Sequence, residues 1–337
     1  MLENQTKKIP FIDWLRCCSM ISIVLCHMVQ VPASKVQFLA QIFNLGVQVF
    51  FLVSGFSLGL QGEITDIKKW YKRRFKKVFM PYVLFLAVLF IVYCFKPYCF
   101  KQITPTMILM VASGMQGFTS GLLGATQTWF ITSILLFYAV LPLFSKMWFH
   151  IKDSKKKKII TMCFLITAFF STYLILEKQF SVIIAPIFMC LIAYVIGIEA
   201  ELSSNLKVRV IPTILLMIIS FATRFLCIFI QNEKLGIVLV AASTFGIAFS
   251  VCVLFSVIFS RNRGNKLVSF LTGIGFEVYL YHNMFIEGPI YLMNKTDSLI
   301  FNIAITILAI FVLSYLANKA VVFLDSKILV KKKGIDS

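Results

Sequence analysis

The chain has 337 residues, a formal net charge of +19, 59% hydrophobic residues and only 14% charged ones. With a mean hydropathy of +0.89, that composition excludes a soluble globular domain. The basic residues sit in short loops between apolar runs of about 18 residues or more, each long enough to cross a bilayer core, so they read as cytoplasmic loops and not as a nucleic-acid surface.

In chain order, a short polar stretch carries Lys7 and Lys8 and has no small-residue cleavage site. The first span is therefore expected to be a retained helix and not a signal peptide. Apolar runs follow at 11–31, 38–60, 78–95, 128–148, 159–176, 181–198, 210–230, 235–260, 267–293 and 298–324. Residues 104–126 are ambiguous, because Gly114, Gly117, Gly121 and Gly124 interrupt them. One bundle over 1–337, with no appended soluble domain, is the expected organisation. The nine cysteines fall mostly within the runs and form no C-x-x-C or other metal-ligand pattern. They read as small buried hydrophobes, and no metal site is expected.

Charge decides the status of 104–126. With the N-terminus cytoplasmic, Lys35, Lys96, Lys101, Lys178, Lys234 and Lys295 fall outside and Arg224 lies deep in a span; the other 26 of the 33 Lys and Arg lie inside. That bias orients the chain, and it holds only if 104–126 does not cross. The expected fold is an all-α integral membrane protein of ten transmembrane helices with both termini cytoplasmic. Residues 104–126 then form a re-entrant or surface segment, permitted where it is buried in protein or lines a cavity.

Ionisable residues inside spans are functional-site candidates. Arg16 and His27 share the first span, eleven residues apart. They therefore lie on nearly one helix face, on the order of 16 Å apart along the axis. Asp13 is positioned to pair with Arg16. Two readings stand: an arginine snorkelling beside its acid with a hydrogen-bonded core histidine, or a binding and catalytic pair along one helix. The ninth span holds Glu277, His282 and Glu287, and Arg224 can pair with a carboxylate such as Glu277. Gly55, Ser57 and Gly59 match G-x-S-x-G, but that nucleophile elbow needs a strand–turn–helix context. Here the glycines read as a close helix-packing pair.

The pieces in order resemble acyltransferase family 3, the membrane-bound bacterial O-acyltransferases of surface glycans. Arg16-x10-His27 matches that family's hallmark. Residues 46–56 (Gly-Val-Gln-Val-Phe-Phe-Leu-Val-Ser-Gly-Phe) resemble its second-helix signature. Residues 71–78 (Tyr-Lys-Arg-Arg-Phe-Lys-Lys-Val), followed by Pro81 and Tyr82, resemble its basic loop entering the third helix. Trp129, Phe130 and Ile131 with Tyr138 and Pro142 resemble its Trp-led helix, and Tyr279-Leu280-Tyr281-His282 its late Tyr-Leu-x-His. One departure is Arg74-x-x-Lys77 where the family carries Arg-x-x-Arg; lysine keeps the charge but loses the bidentate fork that suits phosphate.

The resemblance implies an acyltransferase, most often an O-acetyltransferase, with acyl-CoA (acetyl-CoA) as co-substrate and no bound cofactor. The acceptor it implies is a hydroxyl of an exopolysaccharide, capsule or cell-wall glycan, free or lipid-linked. Arg16, Arg73, Arg74 and Lys77 would hold the donor phosphates at the cytoplasmic side. His27, in the outer half, would be the general base that takes the acceptor hydroxyl's proton, Arg16 serving in the same catalytic pair. Asp13, Trp129, Glu277, His282 and Arg224 would support the site. The expected setting is multi-pass in the plasma or inner membrane, in contact with membrane lipids and no nucleic acid. A polysaccharide exporter, or an acyltransferase acting on a small molecule or lipid, are the alternatives.

Overall fold

The computed structural model describes residues 9–31, 39–101, 103–200, 207–259 and 264–333, without the side chains of 41, 207–209 and 328–333. Of the basic residues that orient the chain, the side chains of Lys7, Lys8, Lys35, Lys207, Arg209, Arg261, Arg263 and Lys331 to Lys333 lie outside the described residues. Every described element is helical: α1 Pro10–Gln30, α2 Leu39–Phe43, α3 Leu45–Gly59, α4 Ile67–Phe95, α5 Pro105–Ala112, α6 Trp129–Ile151, α7 Lys155–Ile175, α8 Lys178–Glu199, α9 Lys207–Leu226, α10 Glu233–Ile258, α11 Lys266–Ile286 and α12 Leu299–Lys333. Polar caps start several of them. Asp66 accepts from Lys69 N at 2.9 Å before α4, Asn232 from Leu235 N at 3.0 Å before α10, and Asn265 from Leu267 N at 2.8 Å before α11, each filling a donor the helix leaves open.

All ten expected spans are helical, and eight described helices are long and apolar enough to cross a membrane. The other two spans are α3, short at 15 residues, and α11, which carries Glu277 and His282. Two details differ from the sequence reading. The 38–60 run is not one helix but α2 and α3, separated at Asn44. The basic stretch 71–77 is not a loop but the first turns of α4, which extends 29 residues from Ile67; charge lowers its hydropathy without opposing its helix propensity.

Residues 104–126 do not form a spanning helix. The eight residues of α5 give about 12 Å of rise, and irregular backbone with 3-10 turns follows. This backbone is satisfied from within the protein, as a membrane interior demands. Tyr82 and Tyr93 of α4 donate to the carbonyls of Val111 and Leu123, each at 2.7 Å. Thr132 of α6 donates to Gly114 O and accepts from Gly117 N, both at 2.9 Å. Gly114 (φ 75°) and Gly124 (φ 80°) supply left-handed turns that suit glycine.

The bundle is assembled by close backbone approach. At Gly55 and Gly59 of α3 an added Cβ would strike the carbonyl oxygens of Cys190 and Tyr194 on α8, and a Cβ at Gly197 would meet Phe56 O at 2.5 Å. Small residues let helices pack backbone to backbone where lipid gives no hydrophobic drive for association. The packing reading of Gly55 and Gly59 is thus the one the fold uses. Helix α1 packs among α3, α10 and α11, and α11 packs among α1, α4 and α12. That neighbourhood sets the helix of Arg16 and His27 against the helix of Glu277 and His282.

Candidate active site

At one end of the bundle, His27 occupies the last turn of α1 and His282 the last two turns of α11. Their ring centroids are 5.0 Å apart, with the planes at 45°. His282 is fully buried, and its Nδ1 lies 2.7 Å from the carbonyl oxygen of Tyr279. A carbonyl only accepts, so Nδ1 carries the proton and Nε2 of the neutral ring keeps its lone pair. His282 Nε2 and His27 Nδ1 are both buried without a hydrogen-bond partner among the described residues. Two imidazoles side by side, each with one unengaged nitrogen, form a unit that can take up and release a proton.

The end of the re-entrant segment is sewn to this part of α11. Gln127 donates to Leu280 O at 2.6 Å, and Tyr279 donates through its hydroxyl to Gln127 O. Asn283, next to His282, donates to Thr126 Oγ1 at 2.6 Å. The backbones meet directly: a Cβ at Gly124 would lie 2.7 Å from Pro289 Cδ, and one at Gly288 would lie 2.8 Å from Gly124 Cα. Trp129, at the start of α6, has its ring centroid 6.3 Å from that of Phe51 on α3.

Toward the opposite end of α1, Arg16 Nη2 donates to Ser57 Oγ at 3.1 Å, and the Ser57 hydroxyl donates on to Val53 O at 2.5 Å. Arg74 donates to Gln61 Oε1 at 2.8 Å and lies over the Trp70 ring, 5.9 Å from its centroid. Lys77 lies within electrostatic range of Arg16, Arg74 and Glu277, and Arg16 within range of Asp13 and Arg74. Arg16 and Arg74 are half-buried and Lys77 is exposed, although helices surround all three. All three side chains therefore keep accessible surface and form a cationic cluster. Arg73 is exposed, and Lys76 is held by Asp325 of α12.

Two expected pairings do not form. Among the described residues the ion pairs are Lys76–Asp325 and Lys158–Glu199, so Asp13 does not close onto Arg16; its backbone carbonyl accepts from Thr272 at 3.0 Å. Arg224 does not reach Glu277. It lies on α9, which packs on α10, and donates to Thr244 Oγ1 at 3.2 Å. Glu277, buried in α11, accepts instead from Asn318 of α12 at 3.0 Å. The sequence reading did not assign Ser57, Gln61, Gln127, Asn283 and Asn318. The available signal was their type, since amides and hydroxyls within apolar runs mark interhelical hydrogen bonds.

The site thus has a cationic cluster at one end of α1 and a histidine pair at the other, within a bundle of membrane-spanning helices. The acyltransferase domain of acyltransferase family 3 matches residues 9–319, nearly the whole chain. No curated protein and no solved structure matches the chain. The family match takes in both ends of the site, from α1 through the basic turns of α4 to the histidine of α11, and the protein belongs to acyltransferase family 3.

Proposed function

We propose that this membrane acyltransferase is an O-acetyltransferase of the plasma or inner membrane, moving an acetyl group from cytoplasmic acetyl-CoA to a hydroxyl of a surface glycan. The observation that carries the reading is the approach of His27 and His282 to 5.0 Å between ring centroids, with His27 on the same α1 that carries Arg16 into the cationic cluster. Arg16, Arg74 and Lys77 supply the charge-assisted donors that pyrophosphate and phosphate groups need. Arg73, exposed on the same helical turn, adds charge at the mouth.

In this mechanism a neutral imidazole of the pair, His27, takes the proton from the acceptor hydroxyl as its oxygen attacks the thioester carbonyl. The C–S bond breaks, the thiolate leaves with CoA, and the new bond is the ester. His282 receives or relays the proton, its tautomer held by Tyr279 O. Direct transfer is favoured over a covalent intermediate at Cys26, whose thiol is buried and directed to Ala40 O at 3.3 Å.

The test is the base-labile O-acetyl content of surface glycan, read by NMR before and after mild alkali. Three strains are compared: a deletion, the deletion carrying the wild-type gene, and the deletion carrying His27→Ala at matched membrane levels. The reading requires restoration by wild type alone. Restoration by both removes His27 from the chemistry. Glycan retained inside deletion cells with unchanged acetylation replaces the acyltransferase by an exporter.

A further inference from the structure

A cavity of about 650 Å³ opens on the outer face, between the re-entrant segment, the start of α6 and the start of α8. It lies within the range usual for ligand sites. Its wall combines an indole, Trp129, with amides and hydroxyls from Gln116, Thr119, Thr126 and Gln179, and with the carboxylate of Glu177. Gln179 Nε2 donates to Glu177 Oε2 at 2.9 Å, so these two exposed groups are already oriented.

The buried side of this wall is short of hydrogen-bond donors. Gln116 is 2% exposed. Its Nε2 donates to Ala125 O at 2.6 Å, while its Oε1 has no partner among the described residues. Buried acceptors left open are rare and call for donors. The chemistry that supplies many neutral O–H donors together with an apolar ring face is that of a saccharide: its hydroxyls answer the amide and carboxylate oxygens, and its C–H face lies against indole.

We infer that this cavity binds the saccharide acceptor, and that Gln116, Glu177 and Gln179 determine which glycan is accepted. The inference rests on the O-acetyltransferase reading above and adds where that substrate docks. The placement suits the chemistry: Thr126 lines the cavity and accepts the hydrogen bond of Asn283, the residue that follows His282. A glycan held there lies one hydrogen-bonded layer from the histidine pair and on the side opposite the cationic cluster.

The experiment uses full-length protein in nanodiscs, acetyl-CoA as donor, and non-acetylated surface glycan extracted from the deletion strain as acceptor. Initial rates are taken for wild type, Glu177→Gln, Gln179→Ala and Gln116→Ala. The rim variants leave the buried Gln116–Ala125 bond intact, so they report even if Gln116→Ala fails to fold. The expected result is a KM for glycan raised about tenfold in each rim variant, the loss of one or two hydrogen bonds, with the KM for acetyl-CoA changed less than about twofold. Unchanged glycan KM in both rim variants, with wild type active, overturns the cavity assignment and leaves the O-acetyltransferase reading intact. Absence of transfer by well-folded wild type overturns that underlying reading and the cavity assignment with it.

Discussion

His27 and His282 come from helices more than 250 positions apart in sequence, yet their rings lie 5.0 Å apart with an unpartnered nitrogen on each. A pair that shares proton transfer fails as a unit. We expect His27→Ala and His282→Ala each to lower acetyl transfer by at least about 100-fold, and the double variant to be little worse than either single one. Additive losses in a double-mutant cycle would show two independent histidines.

At the other end of α1, Arg16 holds Ser57 at 3.1 Å. Arg16→Lys keeps the charge and loses the planar fork, and we expect the KM for acetyl-CoA to rise by about tenfold. Ser57→Ala leaves the guanidinium in place without its anchor, so a smaller rise is expected. Equal KM values in wild type and Arg16→Lys would move the donor away from this cluster.

Glu277 is 3% exposed and accepts from Asn318. Removing that donor by Asn318→Ala leaves a buried carboxyl short of a partner, at a cost of about 1–3 kcal/mol. A thermal melt in detergent should therefore shift downward, with Asn318→Gln closer to wild type. No shift would show that water replaces the amide.

Gly124 combines a φ of 80° with a close approach to Pro289, Met284 and Gly288. Gly124→Ala strains the backbone and pushes the re-entrant segment off α11; about 1–3 kcal/mol of destabilisation is expected. Gly264, with a φ of 88° and open space about its Cβ position, is the control: strained to a similar degree, it should lose stability without losing transfer. Equal loss of transfer in both variants would deny the segment its role in placing the site.

Hydropathy and the sign of loop charge made the bundle legible, because each span must satisfy its own backbone and each basic loop prefers the cytoplasm. The same logic identified 104–126 as a segment that does not cross. The break at Asn44 and the helical start of α4 were hidden, since both turn on local geometry that a hydropathy window averages away. Spacing within α1 found Arg16 and His27. It could not find their partners: Arg16 to Ser57 and Glu277 to Asn318 each join residues 41 apart. Asp13, three residues from Arg16, is the local expectation; it stays within electrostatic range, while the hydrogen bond goes to a distant serine.

Ser57 lies between Gly55 and Gly59, the two residues whose backbone presses on α8. The anchor of Arg16 is therefore fixed by a main-chain seam with almost no slack, while the outer cavity is walled largely by loop and helix-end side chains. On the proposed assignment, the two ends of the enzyme have different freedom to change. Substitutions at the loop end can redirect the protein toward a new sugar without disturbing its grip on the donor, so variation in what is decorated can accumulate while the coin of exchange stays the same.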